Sequence, residues 1–359
     1  VQDASLAALQ EQVRTAAAAK MPLAIRAGGT KDFYGNAVKG ELLDPRRYAG
    51  IVAHEPTELV ITARCGTPLA ELEAALDAQG QMLAFEPPHF GAGATVGGCV
   101  AAGLSGPRRA TAGAVRDFVL GTKLLTGKAE VLSFGGTVMK NVAGYDVSRL
   151  LAGSLGTLGV ILEASIKVLP KPPAETTLRF EMNESTALTR MNEWAGQPLP
   201  ISATAWRGGT LNVRLSGARA AIDAARMKLG GEHVEEAQAL SYWRGIREHV
   251  DSFFVVNAPL WRLSLPSTAE PVAGAGDQLI EWGGAQRWLR STLPAHELRK
   301  HALALGGHAT LFRGATDENA RTAGAFTPLA PPIGAIHRRL KAEFDPSGIF
   351  NPGRMYADF

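Results

Sequence analysis

Residues 153–168, Gly153-Ser154-Leu155-Gly156-Thr157-Leu158-Gly159-Val160-Ile161-Leu162-Glu163-Ala164-Ser165-Ile166-Lys167-Val168, run a glycine loop straight into a strand. Val160, Leu162, Ala164, Ile166 and Val168 alternate with mostly polar neighbours, the period of a strand with one buried face. Pro170, Pro172 and Pro173 then interrupt the chain, which makes this the sharpest domain boundary in the sequence.

Two further glycine loops lie upstream. Pro22-Leu23-Ala24-Ile25 reads as a short strand entering Arg26-Ala27-Gly28-Gly29-Thr30, and Ala94-Thr95-Val96-Gly97-Gly98 precedes the helical Cys99-Val100-Ala101-Ala102. Successive backbone N–H groups converge on a phosphate where no Cβ intervenes, which favours glycine, and a helix N-terminus adds a favourable field. A single Gly-Gly pair is usually a turn. Three clusters before Pro170, with little comparable after it, point to a bound nucleotide. The G-x-x-x-x-G-K-[ST] loop of nucleoside triphosphatases is absent. A G-x-G-x-x-G reading starts at Gly91 and Gly93 but meets Val96 at its third glycine, and Pro87-Pro88 stand where the leading strand belongs. Neither ATP nor NAD fits.

Local signals fill in the remainder. Leu6, Leu9, Val13 and Ala16 mark one face of an opening helix. Leu59 to Ala63 reads as a strand, followed by a helix capped by Thr67, begun at Pro68, stopped at Gly80 and buried through Leu69, Leu72 and Leu76. Phe118 to Thr126 and Ala129 to Phe134 suggest a hairpin about Gly127-Lys128. Beyond Pro173, strands are expected at 202–206, 211–215, 260–265, 278–282 and 309–313, with a helix at 218–229 and a terminal helix at 333–344. This reads as a β-rich α+β region with few helices and an antiparallel sheet.

With 37 Lys and Arg against 34 Asp and Glu, the net charge of +3 gives no case for a nucleic-acid groove or a basic membrane face. Two cysteines, Cys65 and Cys99, cannot supply a four-ligand zinc or iron–sulfur site, so any iron–sulfur centre must lie on another chain. The first twenty residues lack the basic start and apolar run of a signal peptide, and no stretch of about 18 apolar residues occurs. A cytoplasmic protein is expected, able to dock peripherally on the inner membrane through a complex.

PLAIRAGGT, ATVGG, TAGAVRDFVLG, KNVAGYDVSRLLAGSLGTLGVI and the terminal FDPSGIFNPG resemble, in this order, the vanillyl-alcohol-oxidase (PCMH) type of FAD-binding fold. Within it the chain is most similar to FAD-binding subunits of bacterial glycolate oxidase, which accompany a larger flavoprotein subunit and an iron–sulfur subunit. The resemblance implies an α+β architecture: a two-subdomain FAD-binding domain over 1–172, an α+β cap over 173–332, and a C-terminal helix and FNPG turn over 333–359 returning to the flavin. It also implies cofactor contacts, with Arg26, Ala27, Gly28, Gly29 and Thr30 as the pyrophosphate loop. Pro87, Ala94, Thr95, Val96, Gly97 and Gly98 would line pyrophosphate and flavin, and Thr111, Ala112, Gly113, Arg116 and Asp117 would pass the ribityl chain. Gly156, Thr157, Gly159, Val160 and Ile161 would lie by adenine and ribose, and Asn351 would approach the isoalloxazine ring. Relatives that attach FAD covalently through the first loop carry His where Thr30 stands, so noncovalent FAD is expected.

Oxidising a 2-hydroxy acid needs a cation for the carboxylate and a base for the hydroxyl proton. Arg207, Arg262, His308 and Arg313 are the candidates, with Arg262, His308 and Arg313 foremost. His308 and Arg313, five apart, reach one pocket only through a bend or bulge in their strand. The eight histidines are scattered, and no metal site is expected. Three readings stay open: a flavin subunit of a glycolate-oxidising complex making glyoxylate, a stand-alone D-2-hydroxy-acid dehydrogenase, and a flavin-stabilised scaffold without turnover.

Overall fold

The computed structural model describes residues 3–136, 146–255, 258–272, 274, 276–314 and 323–359; residues 140–145 of the KNVAGYD motif lie outside them. Helix α1 (Ala4–Ala19) is capped by the Asp3 carboxylate, which accepts from the Ser5 amide, and buries Leu9, Val13 and Ala16 as the pattern predicts. Strand β1 (Leu23–Ile25) pairs in parallel with β2 (Glu41–Leu43). On its other side, Leu23 bridges Phe350, so the end of the chain is stitched to its beginning.

A five-stranded antiparallel sheet follows, from β3 (Ile51–Glu55), β4 (Val60–Arg64), β6 (Val119–Leu125), β7 (Val131–Gly135) and β8 (Val160–Lys167), in the order β3-β4-β8-β6-β7. Strand β8 occupies the centre, and all but its last residue are buried. The alternating pattern locates the strand correctly, yet its polar face is covered too. Glu163 there accepts the Tyr48 hydroxyl at 2.8 Å and pairs with Lys123 at 2.9 Å, and Ser165 bonds Thr62 at 2.8 Å. Buried polar groups persist because each finds a partner. Short strands β5 (Gln81–Met82) and β9 (Leu169–Pro170) pair beside this sheet.

Two local expectations are corrected. Helix α2 (Leu69–Asp77) buries Leu69, Leu72 and Leu76, but Thr67 does not cap it; its hydroxyl bonds the Gly50 backbone. The Leu69 amide goes instead to the Ala94 carbonyl, tying the helix start to the second glycine loop. The β6–β7 connection is longer than a two-residue turn: Ala129 donates to Thr126, Thr126 donates to Glu130, and Ala129 takes φ +58°. Helices α3 (Val96–Ala102), α4 (Arg109–Ala112), α5 (Val115–Phe118) and α6 (Val147–Leu151) complete this half.

From Ala174 onward the chain builds one eight-stranded antiparallel sheet. Its strands are β10 (Ala174–Glu181), β11 (Ile201–Arg207), β12 (Thr210–Gly217), β13 (Glu232–Val234), β14 (Leu260–Ser264), β15 (Gln278–Glu281), β16 (Gln286–Arg290) and β17 (His308–Arg313). They lie in the order β13-β10-β12-β11-β15-β16-β14-β17. Few helices were expected here, whereas α7 (Glu184–Ala195), α8 (Arg219–Leu229), α9 (Glu236–Arg247) and α10 (Ala295–Ala304) all cover it. The reason is visible in α7, where Ala187, Leu188, Met191 and Trp194 bury a narrow stripe in an otherwise polar segment, after an Asn183 cap. Helices α7 and α8 pack on one face with Leu211, Val213 and Leu215. On the opposite face, Trp243 and Ile246 of α9 join Ala203 and Ala205.

Helix α11 (Pro331–Phe344) returns the chain to the first half. Buried Lys341 donates to the Thr157 and Phe350 carbonyls at 2.7 and 2.6 Å and pairs with Asp345 at 2.7 Å. Asp345 in turn accepts the Ile349 and Phe350 amides, which fixes the terminal turn.

Candidate FAD cleft and cap pocket

A cleft of about 340 Å³ opens where the Arg26–Asp32 loop, Thr95, Gly98, Leu155, Asn351 and Arg354 meet. The loop is held at both ends, with the Arg26 amide on the Leu43 carbonyl at 3.1 Å and the Asp32 amide on the Gly29 carbonyl at 3.2 Å. Between them, the amides of Ala27, Gly28, Gly29, Thr30 and Lys31 have no acceptor among the described residues. Arg354 grips the carbonyl side, donating to Lys31, Asp32 and Asn36 oxygens. Gly29 takes φ +69°. Five consecutive free donors beside a cleft form an anion nest, which fits a pyrophosphate. Lys31 adds a cation whose pKa burial pulls down, its ammonium 3.3 Å from the His89 carbonyl. Arg26 lines the cleft and pairs with Asp32 at 2.5 Å.

The other two glycine loops are built differently. In the 94–98 loop the Ala94, Val96, Gly97 and Gly98 amides go to the Gly91, Thr67 and Cys65 carbonyls and the Thr95 hydroxyl. A Cβ on Gly97 would stand 2.5 Å from Cys65 Cβ, so this glycine serves close packing of α3 on the turn that follows β4. Thr95 and Gly98 line the cleft, whereas Pro87, Ala94, Val96 and Gly97 are not on its wall. In the 153–159 loop a Cβ on Gly156 would meet Asn351 Nδ2 at 2.8 Å, and one on Gly159 the Leu125 carbonyl at 2.6 Å. Gly156, Thr157, Gly159, Val160 and Ile161 are all buried inside the domain.

Asn351 lies on the cleft wall, but its amide is committed. Its Oδ1 accepts the Ile25 amide at 2.8 Å and its Nδ2 donates to the Leu155 carbonyl at 2.7 Å, so it staples the first loop to the third. Thr111, Ala112, Gly113, Arg116 and Asp117 also stand off the cleft wall. Thr111 donates to Ser202 in the second sheet, and Asp117 accepts the Ala114 amide.

The second sheet presents its own cluster near the first loop. Phe33 and Tyr34 follow that loop directly and pack against Phe312 at 5.4 and 5.1 Å between ring centres. Strand β17 carries an extra residue opposite the Leu260–Trp261 step of β14. That bulge supplies the irregularity needed to bring Arg313 round. The Arg313 guanidinium lies over Phe33 at 4.1 Å, and Arg262 donates to the Tyr34 hydroxyl at 3.0 Å. Arg207 is elsewhere, paired with Asp251 and Asp277. His308 is exposed at the strand's beginning, where desolvation of its ring and the Arg262 charge pull its pKa down.

His249, which nothing in the sequence singles out, sits in this cluster instead. It is almost fully buried at φ +53°, stacked on Phe254 at 3.9 Å, with Nδ1 lacking a hydrogen-bond partner. Desolvation, then the charges of Arg313 and Arg262, keep it neutral, well below the usual histidine pKa. A small cavity beside it is also lined by Glu281. Burial pushes that carboxyl up to about 7, against hydrogen bonds from Trp288 and Gln286 that favour the anion. The Asp-Phe-Tyr run after the first loop is the one sequence signal that could have pointed here.

An FAD binding domain family matches residues 1–149. The chain is 50% identical to the glycolate oxidase subunit GlcE of Escherichia coli (strain K12), over 98% of this chain and 97% of that protein. It is 30% identical to the glycolate oxidase subunit GlcD of Bacillus subtilis (strain 168), over 51% of this chain and 40% of that one. A solved 4-ethylphenol oxidase from Gulosibacter chungangensis shares the fold, with TM-score 0.68 at 16% identity over 100% of this chain and 89% of that one. The expected PCMH-type α+β fold is therefore present, FAD is the cofactor, and the chain belongs to the family of the glycolate oxidase subunit GlcE.

Proposed function

We propose that this chain is the FAD-holding subunit of a complex that oxidises glycolate or a similarly small 2-hydroxy acid to the 2-oxo acid, with an iron–sulfur subunit receiving the electrons. The observation that carries it is the 50% identity to a glycolate oxidase subunit along almost the whole of both chains. The amides of Ala27 to Lys31 would hold the pyrophosphate of FAD, with Lys31 and Thr95 alongside. Thr30 offers no imidazole for a histidyl link, so the cofactor is held noncovalently. Bound FAD supplies the two-electron acceptor. The complex works in the cytoplasm and at the inner membrane; among the described residues no helix is long and apolar enough to cross a membrane.

A second reading places the oxidation on this chain. It is favoured by the β17 bulge, which gathers Arg313 and Arg262 beside neutral His249. The two guanidiniums would hold the substrate carboxylate, and His249 would take the hydroxyl proton. Exposed His308 stands farther out as an alternative acceptor.

Anaerobic addition of glycolate to the FAD-loaded chain separates these readings. The first expects the flavin absorbance to persist until the partner subunits are added. Bleaching of the isolated chain, abolished in Arg262→Met, would establish the second. A flavin that stays oxidised in the assembled complex would leave only a structural role.

A further inference from the structure

The sheet of the second half has an incompletely covered edge. Strand β13 pairs with β10 only from Thr177 to Arg179, while β10 itself runs from Ala174 and pairs on its other side with β12 over its whole length. Among the described residues, the outer edge of 174–176 therefore carries no strand. This edge is the floor of a cleft of about 900 Å³, walled by α8, by α9, and by Glu86 and Arg108 of the FAD-binding half. Open edges of this kind are normally shielded because they template further pairing.

The walls state what kind of chain would fit. Arg219, Arg226, Arg244 and Arg247 line the rim with Lys171 at the mouth; Arg226 pairs with Asp223 at 3.8 Å, Arg247 with Glu248 at 2.8 Å and Lys171 with Asp77. Arg219 and Arg244 are exposed and have no ion-pair partner among the described residues. The acids deeper down are already engaged: Glu86 holds Arg214 at 2.8 Å and Arg108 at 3.4 Å, and Glu175 holds Arg108. Those two arginines are 6% and 8% exposed, so the floor is rigid and its carboxylates do not offset the rim. Between the charges lies apolar surface, with Leu240 63% exposed. The Thr176 hydroxyl is buried beneath without a hydrogen-bond partner.

We propose that an extended acidic segment of a partner polypeptide adds to the 174–176 edge, prolonging the line of β13. Its backbone would pair with β10, its carboxylates would meet Arg219, Arg226 and Arg244, and an apolar side chain would cover Leu240. The proposal rests on the reading that this chain works inside a multi-subunit complex, and it names the face on which that complex closes. The occupant would touch both halves of the chain at once, because Glu86 and Arg108 belong to one wall and α8 and α9 to the others.

The test is hydrogen exchange on the full FAD-loaded chain, alone and with the larger flavoprotein and iron–sulfur subunits. The amides of 174–176 should exchange quickly alone and become protected in the complex. Arg219→Glu/Arg244→Glu, on exposed positions, should keep its FAD and its thermal transition but lose association by roughly tenfold or more, one tenfold step being 1.4 kcal/mol. Assembly that leaves 174–176 unprotected, or that tolerates the double reversal, overturns the groove and spares the functional reading. A wild-type chain that does not assemble at all overturns both. Protection by citrate or inorganic phosphate without any partner would identify a small-anion site and also overturn the proposal.

Discussion

The loop at residues 26–31 and the loop at 94–98 look alike in sequence but differ in whether their backbone amides are already bonded. Both are glycine-rich, both border one cleft, and both adjoin a regular element. In the first, five successive amides have no acceptor among the described residues; in the second, four are already bonded within the domain. The 153–159 loop sides with the second, its Gly156 and Gly159 making room for Asn351 and the Leu125 carbonyl. Glycine thus marks close approach, and whether a ligand or the protein's own backbone approaches is a separate matter.

The largest expected effect lies where the two kinds of loop are joined. Asn351→Ala strands the part-buried Ile25 amide and the buried Leu155 carbonyl and should lower stability by about 2–3 kcal/mol. FAD retention should fall with it, because the open loop loses its staple. Thermal unfolding with and without added FAD measures both. A variant that keeps its unfolding temperature would show that the two loops do not depend on each other.

Next comes a direct contrast of glycines. Gly97→Ala places a Cβ 2.5 Å from Cys65 Cβ and should cost about 2 kcal/mol of stability through overpacking, with FAD affinity of the folded fraction nearly unchanged. Gly29→Ala forces a side chain into φ +69°, costing about 1–2 kcal/mol. Its first clash is with the movable tip of Arg26, so the loop should adjust and misalign its donors. FAD should bind roughly tenfold more weakly, or worse. Paired flavin titrations and denaturant curves give the two ratios. Equal loss of FAD in both variants would show that the two loops contribute to cofactor binding in the same way.

A smaller effect concerns polar atoms left unpartnered in the eight-stranded sheet, where the surroundings repel charge rather than invite it. Glu281 Oε1 is buried without a partner, and its carboxyl titrates near 7 in the fold against an ordinary value of 4.5. The folded state therefore holds the proton more tightly. The stability this contributes is present below about pH 4.5 and disappears as pH rises through about 7. Denaturation midpoints at pH 5 and pH 8 should differ in the wild type and differ less in Glu281→Gln. Parallel pH profiles would mean the carboxyl is better solvated than its surroundings indicate.

How much could be read in advance varied by element. Strand β8, the stripe of α2 and the cap strands followed from periodicity, because a half-buried element writes its period into the chain. Helices α7, α9 and α10 did not, since a large sheet needs only a narrow stripe from each covering helix. A nucleotide that is neither ATP nor NAD was legible in the glycine loops and the missing Walker and Rossmann patterns, whereas FAD followed from the resemblance to a known FAD-binding family. The bulge that turns Arg313 onto the face of His308 was legible only as a requirement, and His249 was not legible at all.

The sequence by itself determined that glycine loops before Pro170 suit a nucleotide other than ATP or NAD, and its motifs carried the family resemblance that implies FAD and makes Thr30 stand where a histidyl link would form. These conclusions depend on residue types at fixed local spacing, which the chain carries directly. Only the tertiary structure decided which glycine loop keeps its donors open, where Asn351 directs its amide, and which histidine joins the arginine pair. Each of those depends on partners brought in from distant positions, as when residue 351 bonds residues 25 and 155. A hydrogen-bonding group reveals its role only once its partner is known, and folding is what assigns the partner.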